Sequence, residues 1–184
     1  HHRLVLAAIL LLALTLRLWG NDYSLWYDEI ASTRFAAQPW HRLWSDWMVS
    51  ETNPPLYYTL LKLWLALVGD SDVRIRLLST LIGLAGIAGA WQLGRNVAGP
   101  RAAAVAALLV ASSQQHVFYS QMARGYGLGH GATLLALVGL SALARAWDGQ
   151  GAPERRARSI ALATYAAGAA VAVYCHTTLV LVPL

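Results

Sequence analysis

The chain has 184 residues, is 57% hydrophobic and 12% charged, and carries a formal net charge of +5. Its apolar residues lie in long blocks with Trp and Tyr near the block ends, which excludes an ordinary soluble domain; about 20 such residues cross a ~30 Å hydrocarbon core, and amphipathic rings settle at its interfaces. The basic residues are dispersed and the one short run, Arg155-Arg156-Ala157-Arg158, abuts a hydrophobic segment, so the charge reads as a topology signal rather than a nucleic-acid surface.

Residues 4–19 form the first apolar block. The polar start His1-His2-Arg3 resembles that of a signal peptide, but Leu16-Arg17-Leu18-Trp19 offers no small-residue cleavage site, so the block is expected to be a mature span. Residues 20–53 hold Asp22, Asp28, Glu29, Asp46 and Glu51 among six Trp and Tyr residues (Tyr23, Trp26, Tyr27, Trp40, Trp44 and Trp47) and read as interfacial. Two amphipathic helices are expected there, 29–37 and 40–49, separated by Pro39, with Trp40, Trp44 and Trp47 at i, i+4, i+7 on one face.

Asn53-Pro54-Pro55 then opens an apolar helix over 56–68 that contains Lys62. At a rise of ~1.5 Å per residue it is too short to span comfortably, and a re-entrant or interfacial helix is expected. Four further spans follow at 77–94, 102–119, 128–144 and 159–178, giving about five in all. Gly83, Gly86 and Gly89 suit close helix approach. The lone Cys175 excludes an intrachain disulfide and reads as a packing residue. The predicted architecture is an all-α, polytopic helical bundle in a single transmembrane domain over 1–184, with residues 20–74 as a first external loop carrying juxtamembrane helices.

Topology decides which polar groups can meet. If 56–68 does not span, seven basic residues (Arg3, Arg95, Arg101, Arg145, Arg155, Arg156, Arg158) fall on one side and seven (Arg17, Arg34, Arg42, Lys62, Arg74, Arg76, Arg124) on the other. The first set sits in short connections, which places the N-terminus in the cytoplasm and puts Asp28, Glu29, Asn53 and the segment 112–127 together on the outer face. If 56–68 spans, Arg124 moves to the face opposite Asp28.

Ser24-Leu25-Trp26-Tyr27-Asp28-Glu29-Ile30 is the stretch with chemistry in it: two adjacent carboxylates at a membrane surface have no packing role. One suits a general base or metal ligand; the other suits the N-terminus of the short helix, where a negative charge is favourable. The polar segment 112–127 offers Arg124, whose guanidinium either snorkels to the interface or grips a lipid-borne phosphate. His116 and His176 stand near span ends and show no metal-ligand spacing, and Tyr57 and Tyr58 read as belt aromatics.

In combination, Ser24-Leu25-Trp26-Tyr27-Asp28-Glu29, Asn53-Pro54-Pro55-Leu56-Tyr57-Tyr58, Arg76-Leu77 and Tyr119-Ser120-Gln121-Met122-Ala123-Arg124-Gly125-Tyr126 resemble the N-terminal half of bacterial glycosyltransferases of the C-type fold. The branch resembled is that of the protein O-mannosyltransferases and the aminoarabinose transferase of lipid A. The resemblance implies an integral enzyme of the cell membrane that moves a sugar, with inversion, from a polyprenyl-phosphate donor to a protein, lipid or glycan acceptor on the extracytoplasmic side. Carried over by position, Asp28 is the general base or orients the acceptor hydroxyl, and Glu29 supports it. Arg124 holds the donor phosphate, Gln121 and Tyr126 line the same cavity, and Asn53 and Tyr57 join them as substrate-binding residues. No cofactor is implied with certainty; a divalent cation, where one is used, falls to Asp28 or Glu29. The family often has His before Pro-Pro, where Asn53 keeps hydrogen bonding but loses titration. Such enzymes continue beyond an ending like Val182-Pro183-Leu184, so the chain is expected to be the N-terminal part of a longer one. A different class, a transporter binding a lipid headgroup or ion without chemistry, would place ionisable residues near mid-span, and the span middles here are nearly charge-free. A third class, a structural membrane subunit, would tolerate loss of Asp28.

Overall fold

The computed structural model describes residues 2–51, 53–148 and 155–182. The described part is an all-helical, polytopic membrane bundle. Its elements are α1 (His2–Leu18), α2 (Tyr27–Ala37), α3 (Trp40–Leu43), a 3₁₀ turn at Asp46–Ser50, α4 (Leu56–Val68), α5 (Asp72–Ser112), α6 (Gln114–Gln121), α7 (Tyr126–Asp148) and α8 (Arg155–Cys175), with a last 3₁₀ turn at Thr177–Leu181.

Among the described residues, three helices are long and apolar enough to cross a membrane: Asp72–Ser112, Tyr126–Trp147 and Arg155–Cys175. The first of them is a hairpin. Ala98 (φ −141°, ψ 18°) and Gly99 (φ 84°, ψ −169°) break it, and the return limb comes back so close that a Cβ on Gly94 would lie 3.0 Å from the Cα of Ala103. Gly99 supplies the left-handed φ the reversal needs, and Pro100 restarts the helix where its missing N–H is harmless. With α1, 17 residues and so about 26 Å long, the five expected passes map onto α1, the two limbs of α5, α7 and α8. The expected span at 102–119 is broken at Ser113, whose hydroxyl accepts from the His116 N–H and starts α6. Beyond that break His116 and Ser120 of α6 are buried, while Gln114 and Gln115 stay exposed.

Packing follows the small residues. Ile9 and Ala13 of α1 meet Ile87, Trp91, Ala103, Ala107 and Ala111 of the hairpin in one apolar cluster. Gly86 lies opposite Gly131 of α7, as close approach of backbones requires. The tightest crossing is α7 on α8, where a Cβ on Gly168 would collide with the Ala136 backbone nitrogen and one on Gly139 with that of Tyr165. Gly168→Ala is therefore expected to push the two helices apart at a cost of about 1–3 kcal/mol, read as a lower thermal midpoint in detergent.

The loop layer over 20–74 is built on a second cluster of Ala36, Leu43, Met48, Tyr57, Tyr58, Leu61, Ile75 and Ala123. Two expectations change here. The second amphipathic helix is a single turn, α3, followed by a 3₁₀ turn that Ser45 caps by accepting from Trp47 N–H, so Trp40, Trp44 and Trp47 do not share one helix, although all three are exposed. Tyr57 and Tyr58 are 1% and 2% exposed, core residues rather than belt aromatics, because α4 packs against α2 and the start of α5. Lys62 explains its place in an apolar helix: its ammonium donates to the carbonyls of Ala36 (3.1 Å) and Gln38 (2.8 Å) at the C-terminal end of α2.

Candidate active site

Asp28 and Arg124 line one cavity of ≈ 580 Å³, with Tyr27, Phe35, Trp47 and Glu51 among the other walls. They sit at the end of the bundle opposite His2, Arg95, Gly99 and Arg145, which line a pocket of their own. The arrangement in which 56–68 spans and separates Asp28 from Arg124 is thereby overturned. α4 stays in the loop layer, tied through the Trp64 indole N–H to the carbonyl of Arg74 (2.8 Å).

The two adjacent carboxylates part company. Asp28 is half-buried at the cavity wall, one residue inside the N-terminus of α2, where the helix dipole favours its charge. Glu29 is fully buried and turned the other way. Its Oε2 accepts from the Trp26 backbone N–H (3.3 Å), half of a capping box. Its two oxygens take Arg76 Nε (2.8 Å) and Nη2 (2.6 Å) in a fork, and Oε1 also accepts from the Ala123 N–H (3.0 Å). Arg76 spends its remaining donors on the carbonyls of Asn21 (3.3 Å), Tyr23 (2.6 Å) and Ser24 (3.2 Å), and lies 3.9 Å from the Tyr23 ring centroid. This knot joins the loop after α1, the start of α2, the start of α5 and the residue before Arg124. In the sequence Arg76 appears as one of the outer basic residues and in the Arg76-Leu77 element of the resemblance, with no partner assigned; its pairing with Glu29 is seen only in the structure.

Arg124 does not snorkel. It is 8% exposed, with Nη2 3.6 Å from Glu51 Oε1 and Nη1 donating to the Tyr58 hydroxyl (3.2 Å), which itself donates to Glu51 Oε1 (2.9 Å). Burial lowers the pKa of Arg124, but the neighbouring oxygens of Tyr58, Glu51 and Asp28 outweigh it and hold it above its ordinary value. It is a permanent cation between two carboxylates. Burial first, and then Glu51, push the Tyr58 hydroxyl up, so it stays a donor. Glu51 and Tyr58 were not among the expected site residues; nothing in their spacing marks them, since they reach Arg124 only through the fold of 46–58 over α2.

The other expected residues disperse. Asn53 Nδ2 donates to Glu51 Oε1 (3.0 Å) and so buttresses the Arg124 partner, while its Oδ1 is buried without a partner among the described residues. Tyr57 faces away, its hydroxyl 2.8 Å from Ser79 Oγ. Gln121 is not beside Arg124: its amide donates to the Arg17 and Trp19 carbonyls (3.1 Å each), closing the C-terminal end of α1. Tyr126 opens onto a separate cavity, its ring 4.9 Å from that of Tyr119 and 5.6 Å from that of His176. Cys175 is buried as a packing residue.

Among the described residues no three His, Cys, Asp or Glu side chains converge on a point that could hold a metal ion. Glu29 is engaged on both oxygens, which leaves Asp28 and Glu51, with the Arg124 cation between their charges. That donor set does not by itself make a divalent-cation site.

What the cavity offers is a half-exposed carboxylate that takes no side-chain hydrogen bond among the described residues, and a fixed guanidinium, on walls carrying Tyr27, Phe35 and Trp47. A base and a cation facing one space suit a reaction in which a proton leaves one group and negative charge develops on another. In comparison with known sequences, the profile of the dolichyl-phosphate-mannose-protein mannosyltransferases matches residues 52–184. No curated protein and no solved structure matches the chain.

Proposed function

The chain belongs to the dolichyl-phosphate-mannose-protein mannosyltransferase family, and we propose that it transfers a sugar from a polyprenyl-phosphate donor to an acceptor hydroxyl in the cavity shared by Asp28 and Arg124. The carrying observation is that one base and one permanent cation line the same ≈ 580 Å³ space, within the ~300–1,000 Å³ range of small-molecule pockets. Asp28 takes the proton as the acceptor oxygen attacks the anomeric carbon. The bond from that carbon to the donor phosphate oxygen breaks, its electron pair stays on the phosphate, and Arg124 stabilises the departing anion. Attack and departure on opposite sides of the anomeric carbon invert it. Glu51 and Tyr58 are positioning residues that fix the guanidinium, and the Glu29–Arg76 knot fixes the backbone leading into it.

The active end is extracytoplasmic in this reading, in a multi-pass protein of the cell membrane, with the arginines of the opposite end retained on the cytoplasmic side. The family name points to a protein hydroxyl as acceptor; a lipid or glycan hydroxyl presents the same nucleophile. Arg124→Lys tests the phosphate role. A lysine keeps the charge but loses the fork, so kcat/KM for a polyprenyl-phosphate-mannose donor is expected to fall about 10²-fold in membranes, with the acceptor KM little changed. Unchanged donor kinetics would remove Arg124 from the phosphate.

A further inference from the structure

The cavity that holds Asp28 and Arg124 carries a second cation, Arg34, for which the transfer step itself has no use. Tyr27, Ala31, Arg34 and Gln38 recur at i, i+4, i+7, i+11 and form one stripe of α2 and its end along the cavity wall. Arg34 follows Asp28 by six residues, which separates them by about 9 Å along the helix axis. The apolar Ile30 and Ala31 lie between them on the same wall.

The neighbouring arginines are spent. Arg76 is taken up by Glu29 and three carbonyls and Arg124 by Glu51 and Tyr58, whereas the Arg34 guanidinium is exposed and makes no hydrogen bond or ion pair among the described residues. It is not needed to close the helix, because the Lys62 ammonium already takes the carbonyls of Ala36 and Gln38 at the end of α2. Arg34 also borders a neighbouring cavity of ≈ 820 Å³ where Asp70 and Asp72 stand, yet neither carboxylate comes within 4 Å of it.

A sugar phosphodiester brings a single negative charge, and Arg124 answers it. The unspent guanidinium therefore faces the acceptor side of the reaction. An extended peptide advances ~3.3 Å per residue, so about 9 Å covers two or three residues from the attacking hydroxyl. We propose that Arg34 selects the acceptor: a peptide lying extended along α2, with an Asp or Glu two or three residues from the hydroxyl that Asp28 deprotonates. The inference rests on the reading of the Asp28 cavity given above. Arg34 touches no reacting atom, so its effect falls on acceptor binding.

The test measures mannosyl transfer in membranes to a set of threonine peptides, each uncharged except for one Asp or one Lys placed at successive positions before or after the threonine, with an uncharged parent as reference. Asp two or three residues away on one side is expected to lower the acceptor KM about fivefold, with kcat and donor KM unchanged, and the gain to shrink as salt is raised. The ratio of Asp to Lys peptide at that position is read within each variant: Arg34→Glu is expected to reverse it and Arg34→Lys to keep its sign. Transfer to the parent peptide with no acid preference, or a preference that Arg34→Glu leaves as it was, would overturn the proposal and leave the reading of the Asp28 cavity standing. Transfer to none of the peptides, the parent included, would overturn the peptide acceptor and the proposal with it.

Discussion

Asp28→Asn is expected to lower sugar transfer from a polyprenyl-phosphate donor by about 10²–10⁴-fold while leaving the thermal midpoint of the protein where it was. The reason is the asymmetry between the two carboxylates. No hydrogen bond to the Asp28 side chain occurs among the described residues; only its backbone carbonyl is used, accepting from the Ser32 hydroxyl at 3.0 Å. An amide of the same shape therefore strands nothing, and what disappears is the ability to take a proton. Donor affinity is expected to survive, because Arg124 keeps Glu51 and Tyr58 as partners. Loss of transfer with retained donor binding separates a chemical role for Asp28 from a binding one. Undiminished transfer by the folded variant would remove it as the base.

The largest stability effect is expected one residue along. Arg76→Met leaves Glu29 as a fully buried carboxylate with only the Trp26 and Ala123 backbone N–H groups, and breaking a buried pair in this way costs about 3–5 kcal/mol. The measurement is the shift of the unfolding midpoint in detergent, with Glu29→Leu and the double variant completing a cycle. The double variant is expected to recover most of the loss, since neither charge is then left alone. Arg76→Met should also slow transfer although neither residue faces the cavity, because Glu29 Oε1 holds the N–H of Ala123 and so the approach to Arg124. Equal destabilisation by the double variant and the sum of the singles would mean that the two side chains do not act as a pair.

The bundle was legible because its signal is repeated many times over in long apolar blocks, and Asn53-Pro54-Pro55 does open the short helix expected over 56–68; the aromatics were less legible, since Tyr57 and Tyr58 are core residues rather than belt aromatics. The break at Ser113 was not legible, since a serine in an apolar run reads equally as span or cap. At the site, Asp28 and Arg124 stood out as charges at a membrane surface with nothing apolar to do. Glu51 did not, because its meeting with Arg124 depends on how α3 and the 3₁₀ turn fold back over α2, and no periodicity encodes that. The resemblance groups Gln121 and Tyr126 with Arg124; the tight turn at 122–124, closed by the Arg124 N–H on the Met122 carbonyl (2.8 Å), sends the side chains to different places. Arg17 was assigned to the outer surface and is instead fully buried, because a helix-end arginine can find carbonyls of a neighbouring limb rather than water.

The most direct test of a shared donor cavity is accessibility. Asp28→Cys and Arg124→Cys, each in a Cys175→Ala background, are labelled with a membrane-impermeant thiol reagent from either face, with and without polyprenyl-phosphate-mannose. Labelling of both positions from the extracytoplasmic face, slowed at Asp28→Cys by the donor, is the predicted result. Labelling from opposite faces, or labelling that the donor leaves unchanged at both positions, would contradict the account.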